Sequence, residues 1–360
     1  VAALASALII WYGGANVIGG TLSLGVLVAC LQYSVRFFRP ISDMSDKFNT
    51  LQSAMASSER IFKLLDEPVT VEPPAAPLRR PAPAAGHIAF EHVWFSYKPK
   101  DAKGVKDAEG AKDAEASADS VGGEYVLRDV SFEVRPGERI GIVGATGSGK
   151  TTLINLLLRF YDVTRGRITI DGIDLRQLDL DDVRGLFSLV LQDVHLFSGT
   201  IADNIRLGNS AVDDERIRQA AHAVHADAFI ERLPHGYASA VAERGSTLSV
   251  GQKQLLSFAR ALAFDPRVLV LDEATSSVDT ETELLIRDAL HALMAGRTTI
   301  AIAHRLSTIQ DMDKILVLHK GRLREAGTHQ ELLAQRGIYF RLFELQYKNE
   351  LRSEKSEVGS

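Results

Sequence analysis

The chain has 360 residues, a length that corresponds to about two domains, and 46% of its residues are hydrophobic, which is enough for a sizeable core. Its net charge is only −5 and no dense basic block is present, so it lacks the electrostatic footprint of a nucleic-acid-binding protein. The single cysteine, Cys30, excludes an intrachain disulfide and a thiolate metal cluster.

The first 35 residues contain no Lys, Arg, Asp or Glu, which is not typical of a soluble domain. Glycine pairs separate two apolar segments, residues 1–12 and 21–38, and predict a turn over residues 13–20. A membrane-spanning helix needs about 20 mostly apolar residues. We therefore predict that the second segment is a complete span and that the first is the end of a truncated one.

Basic residues follow the second apolar segment at Arg36, Arg39 and Lys47. By the positive-inside rule, this end of the predicted span lies in the cytoplasm. A cleaved signal peptide is a competing interpretation, but no basic segment precedes the apolar run and no small-residue cleavage site ends it. A buried hairpin of a soluble protein is the other alternative.

Residues 41–65 keep apolar side chains at helical spacing, which predicts that the span continues as a helix out of the bilayer. Six prolines within residues 67–86 prevent regular structure, so this segment is predicted to be a semi-rigid extended linker. Residues 1–66 would then be part of a transmembrane domain, residues 87–345 a second domain and residues 346–360 a C-terminal tail.

The second domain begins with two alternating apolar patterns, residues 87–97 and 125–134, that predict strands. Residues 98–124 between them lack an aromatic or β-branched run and are predicted to form a solvated insertion. Further predicted strands alternate with helical patterns, and a hairpin is predicted around Lys320 and Gly321. The strands lie at residues 139–143, 167–170, 187–191, 268–271 and 298–303. This alternation predicts an α/β fold with a largely parallel sheet.

Residues 144–152, GATGSGKTT, lie between a predicted strand and a predicted helix. They match the pattern GxxxxGK[ST] at Gly144, Gly149, Lys150 and Thr151. The glycines allow consecutive N–H groups and the helix N-terminus to face an anion. Lys150 would reach the β- and γ-phosphates of a nucleotide, and the Thr151 hydroxyl would ligate Mg²⁺. The flanking strand and helix favour this phosphate loop over a glycine-rich turn that binds nothing.

Two acids, Asp272 and Glu273, directly follow the apolar run at residues 268–271. At the end of a strand downstream of a phosphate loop, Asp272 would hold Mg²⁺ through water and Glu273 would polarise an attacking water. The alternative is that both acids cap the next turn, which the upstream phosphate loop makes less favoured. His304 and Gln192, each taken alone, carry no specific signal.

Together these segments resemble the ATP-binding cassette (ABC) proteins over nearly the whole chain. Residues 144–152 resemble the Walker A motif and residues 268–273 the Walker B motif with its catalytic glutamate. Residues 248–252, LSVGQ, resemble the signature sequence that only this family carries. Further segments resemble the Q-loop at Gln192, the D-loop at residues 276–279, the switch histidine at His304 and, at residues 243–245, the segment that contacts the membrane domain of exporters.

The resemblance implies an ATPase that binds ATP and Mg²⁺. It implies catalytic roles for Glu273, His304 and Gln192, and Mg²⁺ coordination by Thr151, Gln192 and Asp272. It also implies that Tyr97 stacks on adenine, with Phe95 the next candidate and core packing the alternative for both. The remaining implied nucleotide contacts are Gly144, Ala145, Thr146, Gly147, Ser148, Gly149, Lys150, Thr151, Thr152, Ser249, Gly251, Gln252 and Asp279.

The chain departs from the family pattern at two places. Val250 stands in the signature where the family usually has glycine. Because the γ-phosphate contacts are expected from Ser249 and the Gly251 backbone, we expect a working site with altered affinity. The insertion at residues 98–124 directly follows Tyr97, so the geometry of the adenine-stacking loop is not fixed by the resemblance.

The implied fold is a P-loop cassette, with a mixed sheet and a helical subdomain, preceded by transmembrane helices. Residues 1–65 resemble the end of the fifth and most of the sixth transmembrane helix of an exporter half-transporter. The family sandwiches each ATP between the phosphate loop of one cassette and the signature of another. The chain has one of each, so a second half-transporter, identical or different, is the expected partner in a multi-pass assembly of the cell membrane with a cytoplasmic nucleotide-binding domain.

Three other classes of protein share parts of this pattern. An importer ATPase would dock on separate membrane subunits, which the fused apolar segment disfavours. A chromosome-maintenance or repair ATPase would carry long coiled-coil heptads between Walker A and the signature, and none is visible in the sequence. A regulatory cassette without hydrolysis is disfavoured by the presence of both Glu273 and His304. The sequence does not indicate which substrate is exported.

Overall fold

The structure is a computed structural model that describes residues 2–79, 84–97, 125–191, 193–242, 245–272, 280–302 and 309–345. The chain divides into two units, Val1–Thr70 and Val71–Ser360. The predicted insertion at residues 98–124 and the predicted tail at residues 346–360 both lie outside the described residues.

The first unit consists of two helices, α1 (Ala2–Ile18) and α2 (Leu24–Leu65), and Ser23 caps the start of α2. The helical continuation over residues 41–65 is confirmed, because α2 runs to Leu65. No helix within the described ranges combines the length and the hydropathy that crossing a bilayer requires.

The predicted turn over residues 13–20 is wrong in its first part, because α1 continues to Ile18. Gly13 instead marks a close approach of the two helices. A Cβ atom at this position would lie 2.5 Å from Cδ1 of Leu27 on α2. A small residue at a helix interface allows this approach, so the glycine serves packing between α1 and α2.

In the second unit, the described residues form three sheets and several helices. Its strands are β1 (Ile88–Phe95), β2 (Leu127–Val134), β3 (Arg139–Val143), β4 (Arg165–Ile170), β5 (Ile173–Asp174), β6 (Phe187–Val190), β7 (Gly199–Thr200), β8 (Ala240–Val241), β9 (Val268–Asp272), β10 (Thr298–Ile302), β11 (Lys314–His319) and β12 (Arg322–Gly327). Its helices are α3 (Lys150–Leu157), α4 (Leu180–Arg184), α5 (Ile201–Arg206), α6 (Asp214–Ala223), α7 (Asp227–Ile230), α8 (Val250–Ala263), α9 (Thr280–Met294) and α10 (His329–Gln335). Residues 338–345 are also helical.

The largest sheet has the strand order β12-β11-β3-β10-β9-β6. Its strands run parallel except for β12, which pairs antiparallel with β11 through the predicted turn at Lys320 and Gly321. All residues of β10 and the first four of β9 are buried, as expected for a parallel sheet covered on both faces. The predicted α/β fold with a largely parallel sheet is therefore confirmed.

The segment at residues 167–170 does not join that sheet. It is part of β4, which belongs to a four-stranded antiparallel sheet of order β2-β1-β4-β5. The reason is the tight turn at Asp171 and Gly172, both with positive φ, which reverses the chain directly into β5. A two-residue connection permits only antiparallel pairing, whereas a parallel neighbour needs a long crossover. A two-stranded sheet, β7-β8, completes the set.

Two hydrophobic clusters cover opposite faces of the large sheet. Val268 and Val270 of β9 belong to one cluster, and Leu269 and Leu271 of the same strand belong to the other. This division follows from the alternation of side chains along a strand. The first cluster includes α3 and the antiparallel sheet, and the second includes residues of α5, α6, α8 and α9. The second layer matches the helical subdomain expected from the sequence.

The structure describes residues 67–79 and 84–86 of the predicted linker. From Val71 onward the linker belongs to the second unit and is held there by hydrogen bonds. Arg159, which is 3% exposed, donates from Nη2 to the carbonyl of Glu72 at 3.1 Å. The Asp171 carboxylate accepts hydrogen bonds from the N–H groups of Ala85, Gly86 and His87. These contacts stabilise a segment in which proline removes backbone donors.

Candidate functional site

The parallel strands of the large sheet bring their carboxyl ends to one edge. Strand β3 leads into Gly144, β9 ends at Asp272, and β6 and β10 end at Val190 and Ile302. Because parallel strands share one direction, the segments that follow them start from the same edge. The predicted residues Gln192, Glu273, Asp279 and His304 come shortly after these ends, but they lie outside the described residues.

The turn between β3 and α3 has room only for glycine at two positions. A Cβ atom on Gly144 would lie 2.4 Å from the carbonyl oxygen of Leu318. A Cβ atom on Gly149 would lie 2.6 Å from Cδ2 of Leu127, and φ at this residue is 106°. The Gly321 N–H donates to the Ser148 carbonyl at 3.1 Å, so the β11–β12 hairpin supports the turn. The predicted phosphate loop is thus held tightly against the sheet.

Lys150, at the start of α3, turns its ammonium back onto this loop. Its Nζ donates to the carbonyl oxygens of Gly144 at 2.7 Å and Ala145 at 3.2 Å. Burial lowers the pKa of the Lys150 ammonium, and the charge of Asp272 opposes this effect. The ammonium therefore lies inside the curve of the loop, with Asp272 close enough to act on its charge.

The hydroxyl of Ser148 is buried in the loop and makes no hydrogen bond within the described chain. A buried hydroxyl without a partner is costly, and such atoms are rare in folded proteins. Together with the Lys150 ammonium and the N-terminus of α3, it forms a donor set that fits a phosphate group. Thr151 is exposed and Asp272 is partly exposed, and both offer the oxygen ligands that Mg²⁺ prefers. The described residues therefore fit both ATP and Mg²⁺.

Tyr97 lies beside the phosphate loop, with 46% of its surface exposed. Its hydroxyl is 3.1 Å from Oγ1 of Thr152, a buried residue of α3. Its ring packs edge-on against Phe95 and Tyr161, with centroid distances of 4.8 Å and 5.1 Å. The structure brings Tyr97 and Thr152 together, and Phe95 is a core residue at 3% exposure.

Ser249 and Gln252 form a reciprocal cap at the start of α8. The Ser249 hydroxyl accepts from the Gln252 N–H at 3.2 Å, and the Gln252 side-chain oxygen accepts from the Ser249 N–H at 3.0 Å. This capping box fixes the first turn of a helix whose N-terminus favours negative charge. Val250, the departure from the family pattern, is 51% exposed and leaves the cap intact.

Gly251 is buried where α8 meets the first turn of α9. A Cβ atom at this position would lie only 2.2 Å from Cγ2 of Thr282. A glycine is therefore required for the close approach of the two helices, in addition to any contact of its backbone with phosphate. Sequence reasoning did not identify Thr282, because no local pattern indicates which side chain lies opposite Gly251.

Arg260 connects the far end of α8 to α5 and to the segment that precedes α5. Its guanidinium donates to the carbonyl of His195 at 3.1 Å and to the carbonyl of Asn204 at 2.9 Å. The Asn204 side chain, 2% exposed, accepts from the Phe197 N–H and donates to the Phe197 carbonyl, both at 2.8 Å. Sequence reasoning also missed the network of Arg260 and the aromatic partner Tyr161, because both depend on contacts between distant parts of the chain.

Comparisons with known proteins show which proteins this chain is similar to. The family model described as "ABC transporter" matches residues 127–276, which include the phosphate loop, the signature and Asp272. A solved structure of a bacterial Atm1-family ABC exporter with ATP bound superposes with a TM-score of 0.67. It is 37% identical to this chain and covers 96% of it, and the chain covers 55% of that structure.

Curated relatives of similar sequence are transporter proteins. An uncharacterised ABC transporter ATP-binding protein of Bacillus subtilis is 46% identical over 96% of this chain. A fatty acid ABC transporter ATP-binding/permease protein of Mycobacterium bovis is 44% identical over 92%, and an ATP-dependent lipid A-core flippase of Desulfotalea psychrophila is 41% identical over 94%. The chain spans about half the length of these relatives, at 53%, 48% and 55%.

Both the motifs and the fold agree with these matches: the phosphate loop, the signature helix and the parallel sheet occur in one domain, and the similarity extends over more than nine-tenths of the chain. The chain therefore belongs to the ABC transporter family and contains the ATP-binding domain of that family, an ATPase.

Proposed function

We propose that this chain binds and hydrolyses ATP as part of an exporter, and that hydrolysis drives transport across a membrane. The observation that carries the proposal is the phosphate loop at the edge of the sheet where β9 ends at Asp272. This loop contains the Lys150 ammonium and the buried Ser148 hydroxyl, which has no hydrogen-bond partner among the described residues. Two relatives are named as ATP-binding/permease or flippase proteins, which favours an exporter over an importer ATPase that docks on separate membrane subunits.

In this proposal the phosphate loop positions the triphosphate. Lys150 exchanges its two loop carbonyls for phosphate oxygens, and the Ser148 hydroxyl and the N-terminal N–H groups of α3 donate to them. Thr151, Asp272 and Gln192 would hold Mg²⁺, which would supply positive charge to offset the charge of the triphosphate. Tyr97 stacks on adenine. Most of the rate enhancement then comes from positioning and charge stabilisation.

Glu273 and His304 complete the proposed chemistry. Glu273 accepts a proton from the attacking water, and His304 and Gln192 contact the γ-phosphate and the water. These residues follow the strands β9, β10 and β6, whose ends lie at the same edge of the sheet as the phosphate loop. This shared edge supports the assignment.

A second cassette supplies the other side of each site. In the proposed dimer, Ser249, the Gly251 backbone and Gln252 of one chain contact the γ-phosphate held by the phosphate loop of the other, and Asp279 lies at the same interface. Within the chain, the phosphate-loop helix α3 and the signature helix α8 pack in different hydrophobic clusters.

ATP closes the dimer, hydrolysis reopens it, and α2 transmits the motion to the membrane domain.

The test is the substitution Glu273→Gln in the full chain, purified in detergent. We expect it to retain Mg·ATP binding and to lower ATP turnover by about 10²–10⁴-fold, because it removes a general base without changing the size of the side chain. Glu231→Gln, the same substitution at an exposed residue, should leave turnover unchanged. Turnover at the wild-type level in Glu273→Gln would remove Glu273 from its proposed role, and a wild-type chain that does not bind Mg·ATP would overturn the whole proposal.

A further inference from the structure

Three aromatic side chains form a cluster beside the phosphate loop. The rings of Tyr97 and Tyr161 are 5.1 Å apart at an interplanar angle of 89°, and those of Phe95 and Tyr97 are 4.8 Å apart at 83°. Phe95 and Tyr161 are 5.6 Å apart at 55°. Phe95 is almost fully buried, whereas Tyr97 and Tyr161 are 46% and 40% exposed. The buried ring is therefore the base of the cluster, and the two tyrosines form its outer surface.

The cluster joins two distant parts of the chain. Phe95 ends β1 and Tyr97 follows it, while Tyr161 lies just beyond α3, the helix of the phosphate loop. Hydrogen bonds between described residues hold these segments together: the Thr164 N–H donates to the Trp94 carbonyl at 2.9 Å, and the Ser96 N–H donates to the Thr164 hydroxyl at 3.3 Å. The position of Tyr161 beside Tyr97 thus rests on backbone contacts as well as on ring packing.

Tyr97 itself is held at two points. Tyr161 packs edge-on against its ring, and its hydroxyl reaches Thr152 on α3 at 3.1 Å. Residues 98–124, which directly follow Tyr97, contain no aromatic residue. The described aromatic neighbours of Tyr97 come from β1 and from the segment that follows the phosphate-loop helix α3.

We propose that Tyr161 is a positioning residue for adenine binding: it fixes the plane of the Tyr97 ring, so that the ring is ready to stack on the base while the phosphate loop holds the triphosphate. The inference rests on the proposed function. An edge-on neighbour removes rotational freedom that the ring would otherwise lose on binding, and a preorganised ring binds more tightly. Because Tyr161 follows α3, it connects the base-binding ring of Tyr97 to the helix that begins at the phosphate loop.

The experiment compares two ligands that share phosphates but differ in the base. Equilibrium binding of Mg·ATP and of Mg·tripolyphosphate is measured for the full chain in detergent. Tyr161→Leu should lower the affinity for Mg·ATP by roughly three- to tenfold, as expected for an aromatic pair, and leave the affinity for Mg·tripolyphosphate unchanged. Tyr161→Phe keeps the ring edge and should bind both ligands like the wild type.

A double-mutant cycle separates positioning from a general structural effect. In a Tyr97→Leu background, Tyr161→Leu should cause no further loss of ATP affinity, because the ring that it orients is already absent. Unchanged ATP affinity in Tyr161→Leu, an equal loss for both ligands, or a full effect in the Tyr97→Leu background would each overturn the inference and leave the proposed function standing. Failure of the wild type to bind Mg·ATP would overturn both.

Discussion

At the scale of single residues, the phosphate loop contains buried polar groups that lower the stability of the chain in the absence of a ligand. Ser148 buries a hydroxyl that has no hydrogen-bond partner among the described residues, and Lys150 buries an ammonium whose described hydrogen bonds go to two backbone carbonyls. Each polar group loses contact with water and regains only part of that interaction. A site of this kind is stabilised when an anion supplies the missing acceptors, which links folding stability to ligand binding.

This link leads to a prediction for Ser148→Ala. Removing an unsatisfied buried hydroxyl should raise the free energy of unfolding without nucleotide by about 1 kcal/mol, because the desolvation cost disappears. The same substitution should weaken Mg·ATP binding, because one donor to phosphate is lost. Thermal unfolding with and without Mg·ATP measures both effects. Lower stability in the absence of nucleotide would show that the hydroxyl has a structural partner.

At the scale of secondary-structure elements, the signature helix is positioned at both of its ends. The first turn of α8 packs against α9 through Gly251 and Thr282, and Arg260 near its end binds carbonyls of α5 and of the segment before α5. Because α9 begins directly after the D-loop segment, the Gly251 contact also connects the signature to the residues around Asp279 along the chain. The helix therefore has little freedom to shift without its neighbours.

The Gly251 contact predicts a rescue by a second substitution. Gly251→Ala should destabilise the chain by about 1–3 kcal/mol and lower ATP turnover, because its Cβ overlaps Cγ2 of Thr282. Thr282→Ser removes that methyl group and keeps the hydroxyl, so the double variant should recover most of the stability and turnover. Thr282→Ser alone is the control. A double variant no better than Gly251→Ala would show that Gly251 serves its backbone contacts alone.

The sequence was most informative where function depends on neighbouring residues. The phosphate loop, the strand before Asp272 and the hairpin at Lys320 are encoded within short segments, and the structure reproduces each of them. The pairing of β4 could not be predicted from an apolar run, because the two-residue turn after it decided the direction of the chain. Gly13, Thr282 and Tyr161 act across contacts between distant segments, which single-sequence patterns do not contain.

At the scale of the whole molecule, the chain carries both halves of the composite site that we propose. Its phosphate loop lies on the sheet with α3, and its signature begins a helix in the other hydrophobic cluster. Two copies would therefore provide two complete sites, each with a phosphate loop from one chain and a signature from the other. A closed dimer with two-fold symmetry satisfies this arrangement.

Two substitutions make this arrangement testable. Lys150→Met disables the phosphate loop. Ser249→Asp keeps a good N-cap for α8 but places a carboxylate against the triphosphate, so it disables the signature with little effect on the helix. Each substitution made in both copies should abolish turnover, because every site in the dimer then contains one defective half.

Mixed dimers, purified through two different affinity tags, distinguish shared sites from sites within one chain. In the first mixed dimer, Lys150→Met lies in one copy and Ser249→Asp in the other. One site then combines two defective halves, and the second combines two intact halves. Turnover should therefore return to roughly half that of the wild-type dimer if the sites act independently. When one copy carries both substitutions and the other is wild type, each site contains one defective half and turnover should be lost. The two dimers contain the same substitutions and differ only in their distribution. Activity in the second dimer and none in the first would mean that each site is formed within a single chain.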